Sequence, residues 1–185
     1  MFQPVLQSLQ SFGTFSEEEL SFFESRLSAI EVPKNGFVLR EGKVCQAFYF
    51  LLQGSCTHTV HGTDGTDRIV NLYVRNNWLT DYQSFTSQKP ALASIRAFSD
   101  CRLALLDIHS LHALIQRSAS FFKAGKLMQT LQYVDIGLLG QTPEDQYREL
   151  LTHRPELIQA FPLKLLAAYL RITPETLSRI RKRIR

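Results

Sequence analysis

FPLKLLAAYLRITPETLSRIRK, residues 161–182, holds two apolar periodicities separated by a short break. Pro162 opens a first helix whose inner face is Leu163, Leu166, Ala167 and Leu170. Arg171-Ile172-Thr173 breaks it. Thr173-Pro174 then supplies an N-cap hydroxyl followed by proline at the first helical position. On the second helix Leu177, Ile180 and Ile184 face inward at i, i+3 and i+7. Two short helices around a three-residue turn have helix-turn-helix spacing. That leaves Glu175, Thr176, Ser178, Arg179, Lys182 and Arg183 outward or on the flank, with Thr173 at the helix start. The chemistry suits a major groove: Arg179 can pair bidentately with guanine, Glu175 can accept from cytosine, and hydroxyls reach phosphate or base. The helix N-terminus can hold a backbone phosphate. Lys182, Arg183 and Arg185 read as phosphate contacts. The alternative is an amphipathic helix pair that only packs.

Charge supports the first of these readings. Residues 1–140 carry 12 Lys and Arg against 12 Asp and Glu. Residues 171–185 carry 6 against 1, so the excess of the 185-residue chain sits at its C-terminal end. A basic terminus on an otherwise neutral chain points to a polyanion, nucleic acid being the commonest, or else to a solvated basic tail.

Upstream the pattern changes. Residues 14–30 predict a helix with a Ser16–Glu19 capping box and a stripe of Leu20, Phe23, Leu27 and Ile30, stopped by Pro33. Residues 32–107 predict short strands over Phe48–Leu52, Ser55–Val60, Arg68–Val74, Ile95–Phe98 and Arg102–Leu106, with Asp64-Gly65 as a hairpin signal. Such spacing implies a barrel or sandwich. Leu111, Leu114 and Ile115 mark a short helix. Ala124, Leu127, Leu131, Val134 and Leu138 then step by 3, 4, 3 and 4. This heptad-like seam is either a dimer contact or a face packed on its own domain. Thr142-Pro143 starts another helix and Pro155 interrupts it.

The C-terminal stretch resembles the signature of Crp/Fnr transcription regulators. GFVLREGKVCQAFYFLLQG, with Arg40-Glu41-Gly42 and Phe50-x-x-x-Gly54, resembles the start of their cyclic-nucleotide-binding barrel. TPEDQYRELLTHRPEL resembles the helix that opens their DNA-binding domain. The likeness runs in the right order over nearly the whole chain. It implies that Glu175, Ser178 and Arg179 read bases, that the long helix pairs two copies, and that two recognition helices stand about 34 Å apart on a symmetric operator.

The chain also departs from the family pattern. Nucleotide-binding members hold the ribose with Glu and the cyclic phosphate with Arg in a Gly-Glu…Arg-Ser/Thr loop. The matching positions here are Thr80-Asp81 and Ala91-Leu92, with Lys89 nearby. Without the bidentate cation a buried phosphate loses charge-assisted bonds of about 1.5–3 kcal/mol each. Tight cyclic AMP binding is therefore not expected, and the effector pocket of Thr80, Asp81, Lys89, Ala91 and Leu92 is expected to be unliganded or to hold another small molecule. Arg171 stands where the family turn carries glycine, and the family's β-hairpin wing has no counterpart after the second helix.

Other chemistries find no support. Cys45, Cys56 and Cys101 are odd in number and far apart, which fits reduced core thiols, and residues 1–44 hold no cysteine for an iron–sulfur cluster. His58, His61, His109 and His112 are expected to be exposed, not metal ligands. Arg96 reads as a surface charge or an effector ligand. No motif of a serine hydrolase, zinc protease or phosphate-binding loop occurs, so no enzyme is expected. No apolar run approaches membrane-spanning length and the N-terminus lacks signal-peptide character, so a cytoplasmic protein is expected.

The expected class is α+β. An effector-type β-barrel or jelly roll spans residues 1–117, a dimerisation helix 118–140, and a helix-turn-helix without a full wing 141–185. The partners expected are double-stranded DNA, a second copy of the chain, RNA polymerase (as the resemblance implies) and a small-molecule effector, with no membrane, metal or cluster. The alternative function is a small-ligand sensor or interaction module with a degenerate DNA-binding end.

Overall fold

The computed structural model describes residues 1–62, 66–124 and 142–184. Two helices, α1 (Gln3–Gln10) and α2 (Glu17–Ser25), lead into the strands. Ser16 caps α2: its hydroxyl accepts from the Glu19 amide at 3.2 Å while the Glu19 carboxylate accepts from the Ser16 amide at 2.8 Å, the box read from sequence.

That helix ends sooner than its apolar stripe predicts. Arg26 is its C-cap, and Ser28–Val32 forms β1, paired antiparallel with Cys101–Leu105. Leu27 and Ile30 thus continue the helical period by coincidence; pairing with a central strand overrides it. Helix α1 had no sequence prediction. Its Val5 and Leu9 are buried against the barrel.

The remaining strands are β2 (Phe37–Leu39), β3 (Ala47–Gln53), β4 (Ser55–His61), β5 (Asp67–Val74), β6 (Trp78–Leu79), β7 (Ala93–Ala97) and β8 (Cys101–Asp107). They form two antiparallel four-stranded sheets, ordered β1-β8-β3-β6 and β2-β7-β4-β5, the crossed order of a jelly roll. Phe48, Phe50, Leu51, Ile95 and Leu103 are buried in the barrel core. Gly54 turns β3 into β4 at φ +94°, and any Cβ there would collide with the Asp100 carbonyl and the Cys101 sulfur. Asp64 and Gly65 lie outside the described residues.

Helix α3 (Tyr82–Ser87) bridges the sheets and α4 (Ile108–Arg117) closes the barrel. Beyond α4, Ser118 is extended and Ala119–Ala124 is a 3-10 turn rather than the start of an α-helix. Phe121, within it, is buried against Phe15 and Phe23 of the N-terminal segment. The rest of the predicted helix, with Leu127, Leu131, Val134 and Leu138 of the seam and the side chain of Ala124, lies outside the described residues.

The C-terminal helices follow their predicted starts and stops. Helix α5 (Pro143–His153) is capped by Thr142, which accepts from the Asp145 amide at 3.2 Å. Then come α6 (Pro155–Ala160), α7 (Leu163–Tyr169) and α8 (Pro174–Ile184). Leu157, Leu166, Ala167, Leu170, Leu177 and Ile180 form their shared core.

Candidate functional site

Two regions hold the predicted functional residues. The first is a cavity of about 600 Å³ between β4, β5, α3 and the segment leading into β7. All five predicted pocket residues, Thr80, Asp81, Lys89, Ala91 and Leu92, line it. Asp81 is the N-cap of α3, and one carboxylate oxygen accepts from the Ser84 amide at 2.8 Å. The other stands 3.6 Å from Nε2 of His58. Burial raises the Asp81 carboxyl, but the His58 and Ser84 contacts outweigh it and hold the group below the ordinary carboxylate value.

His58 corrects one expectation. It is 7% exposed, not a surface histidine, whereas His61, His109 and His112 are exposed as predicted. His58 follows Cys56 by two residues on β4 and so shares its inward face, while the register irregularity opposite His58 and Thr59 leaves the extra residue, Val70, in β5. His58 lines the cavity; its Nδ1 lies 3.4 Å from the Tyr73 hydroxyl, and its buried Nε2, beside Asp81, has no partner within hydrogen-bond distance. Sequence spacing carried no signal for this His58–Tyr73–Asp81 cluster, because its members meet only across the β4–β5 pair and α3.

Where the family resemblance would place a cyclic phosphate, the residues are Ala91 and Leu92. Ala91 is buried, tied by its backbone to Gly42 and Lys43, and Leu92 is 68% exposed. No arginine lines the cavity among the described residues, and Lys89 stands at its exposed rim. Arg96 lies elsewhere: its Nε donates to the Asn35 carbonyl at 2.9 Å and its guanidinium covers the Phe37 ring.

The second region is the α7–α8 pair. Arg171 in its turn takes φ +58°, the left-handed conformation that glycine adopts without cost. Thr173 caps α8, accepting from the Thr176 amide at 3.2 Å, with the two hydroxyls 3.1 Å apart. Glu175, Arg179, Lys182 and Arg183 are exposed, and Thr176 and Ser178 half-buried, so the predicted face is presented outward. Arg183 forms an ion pair with Glu144 of α5, a contact the sequence did not foreshadow.

Strand β5 joins the two regions. Asn71 and Tyr73 line the cavity, while Leu72 and Val74 are buried in the core of the C-terminal helices. Arg154, at the start of α6, reaches the same strand: Nη2 donates to the Leu72 carbonyl at 2.8 Å, and Nη1 lies 3.5 Å from the Asn71 side chain. The rings of Phe98 and Phe161 sit 5.1 Å apart beside it. In the sequence Arg154 is an ordinary surface charge before a proline, so nothing there marked its role.

Residues 29–118 match the family model of the cyclic nucleotide-binding domain. The chain carries a cyclic nucleotide-binding fold. Solved structures of similar fold include three regulators. FixK2 from Bradyrhizobium japonicum superposes with a TM-score of 0.71 at 16% identity, over 85% of this chain and 84% of that one. The catabolite activator protein of Thermus thermophilus gives 0.58 at 22% identity, over 94% and 85% of the two chains. The c-di-GMP-responsive global regulator CLP of Xanthomonas campestris gives 0.62 at 16% identity, over 91% of each chain. At these identities the likeness is one of fold. No curated protein matches the chain. Among the described residues no helix is long and apolar enough to cross a membrane, and no group of three or more His, Cys, Asp or Glu is placed to hold a metal ion.

Proposed function

We propose that the protein is a homodimeric, sequence-specific DNA-binding transcription regulator of Crp/Fnr type, whose α7–α8 pair is a helix-turn-helix. The observation that carries this reading is the exposed face of α8. Arg179 and Glu175 stand out from the surface with Ser178 between them, Thr173 secures the helix start, and Lys182 lies further along the same helix. Arg179 and Glu175 supply base contacts, while Thr173, Thr176, Ser178, Lys182 and Arg183 serve phosphate or base edges. Arg183 would exchange its Glu144 partner for phosphate on binding.

Dimerisation is assigned to the seam of Ala124, Leu127, Leu131, Val134 and Leu138, on its heptad-like spacing. Thr80, Asp81, Lys89, Ala91 and Leu92 form an effector pocket that is not built for tight cyclic AMP binding, because the phosphate end holds Ala91 and Leu92 in place of a fixed cation. Another effector acts by binding one of two dimer geometries better than the other. Besides the seam helix, β5 offers a route for that bias, since its alternate residues serve the cavity and the C-terminal helices. RNA polymerase is the partner through which such a regulator would act on transcription.

Arg171, a non-glycine residue at φ +58°, favours a second reading: a small-ligand sensor whose DNA-binding end is degenerate. A salt titration of duplex DNA binding decides between them. The regulator gives a steep negative log–log slope, close to one unit per phosphate contacted. The sensor gives no salt-dependent binding. In a parallel thermal-shift series, cyclic AMP is expected to leave the melting temperature unchanged, and a shift would overturn the account of Ala91 and Leu92.

A further inference from the structure

The thiols of Cys56 and Cys101 belong to different sheets and meet in the barrel core. Cys56 lies on β4 and is fully buried; Cys101 opens β8 and is 4% exposed. Their sulfurs stand 3.6 Å apart, in van der Waals contact. The third thiol, Cys45, is fully buried in another set of contacts, 3.2 Å from the Thr80 hydroxyl. Gly54 makes the close approach possible, because a Cβ at that position would strike the Cys101 sulfur.

Cys101 also has a way out. It lines a second cavity, about 410 Å³ and open to the surface, together with Glu31, Asp100 and Arg102. A small oxidant can reach Cys101 by this route, whereas Cys56 sits behind it and Cys45 faces neither cavity.

We propose that Cys56 and Cys101 are an oxidisable thiol pair, which peroxide converts to a reversible disulfide linking β4 of one sheet to β8 of the other. Cys101 attacks a peroxide oxygen and becomes a sulfenic acid, and the cleaved O–O bond leaves one water. Cys56 then attacks that sulfur, the S–S bond forms, and the sulfenic oxygen leaves as a second water. Two electrons pass from the two sulfurs to one peroxide. The order follows from the contact itself. The hydrogen bond with Cys56 lowers the pKa of the Cys101 thiol, and the same contact together with burial raises that of Cys56. Cys56 pairs across the sheet with Tyr73, which lines the effector cavity, so the link forms next to that pocket.

The test uses the full reduced chain, treated with graded hydrogen peroxide, denatured, alkylated and mapped by peptide mass. The expected result is equal loss of alkylation at Cys56 and Cys101, one intrachain peptide crosslink between them, retained alkylation at Cys45, and full recovery with dithiothreitol. Cys45→Ala leaves that crosslink unchanged. In Cys56→Ala, Cys101 is expected to accumulate as a trappable sulfenic acid and then pass to sulfinic acid; should this variant fail to fold, the wild-type map stands alone. The proposal is overturned if all three thiols persist, if Cys45 is lost as fast as the other two, if Cys101 of the wild-type chain passes to sulfinic acid with Cys56 still free, or if the crosslink joins separate chains.

Discussion

The barrel and the C-terminal helices are stabilised in different ways. The barrel core draws on both sheets, on α1 and on α4, and is complete within residues 1–121. The core of the C-terminal helices is small, and it is completed by Leu72 and Val74 of the barrel's own β5. Burying those two side chains against Tyr147, Leu157 and Leu166 supplies apolar area that four short helices would otherwise lack. The difference teaches where the two parts are coupled. The cavity is lined by Asn71 and Tyr73, and the helices rest on the residues between and beyond them, Leu72 and Val74.

The largest way to break this contrast is Leu72→Ala. It should cost about 2–5 kcal/mol, as large-to-small core changes do. The loss should fall on the helices first. Trp78 is the chain's sole tryptophan and is buried in the barrel, so its fluorescence reports that part alone. In denaturant, the helical circular dichroism should fall before the Trp78 signal. Coincident transitions would show that the two cores unfold as one.

A smaller effect is expected from Arg154→Ala, which strips the charged donor from the Leu72 carbonyl and should cost about 1–3 kcal/mol. The same two signals should separate, by less. Arg154→Lys should not restore the wild type, since an ammonium cannot span Leu72, Asn71 and Tyr169 as the guanidinium fork does. Arg171→Gly sharpens the contrast in the other direction. Left-handed backbone costs a residue with a Cβ about 1–2 kcal/mol, and glycine gives back part of this through chain entropy. The C-terminal helices should gain up to about 1 kcal/mol, and the Trp78 transition should stay in place.

The smallest effect belongs to the pocket. Asn caps helices about as well as Asp, so Asp81→Asn keeps the α3 cap and removes the charge facing His58. The folded carboxyl titrates below its unfolded value of about 3.9, so its contribution is full above that pH and is lost as the pH falls through the folded value. Acid unfolding followed by Trp78 should therefore be steeper below about pH 4 in the wild type than in Asp81→Asn.

Local chemistry was legible in the sequence. The caps at Ser16, Thr142 and Thr173, the break at Arg171 and the buried face of α8 are set by neighbours within a few residues, and the structure agrees with each. The pocket loop was legible through the family resemblance, and its five predicted residues share one cavity. What could not be read depends on contacts distant in sequence. β1 exists because β8 pairs with it, and His58 is buried because its face of β4 is covered by Tyr73 of β5 and Asp81 at the start of α3. Arg154 reaches β5 across 82 residues, and the Cys56–Cys101 contact joins two sheets. None of these has a periodicity or spacing to betray it.

The central claim is that α8 reads DNA as one of a symmetric pair. Selection of bound duplexes from a randomised pool, with wild type and Arg179→Ala side by side, tests it directly. The account predicts enrichment of a two-fold symmetric sequence whose half-site centres lie about 10 base pairs, or a multiple of that, apart. Arg179→Ala should lose preference at one position in each half, at a cost of about 1–3 kcal/mol. No enriched sequence, or an equal weakening of specific and nonspecific DNA in Arg179→Ala, would contradict it.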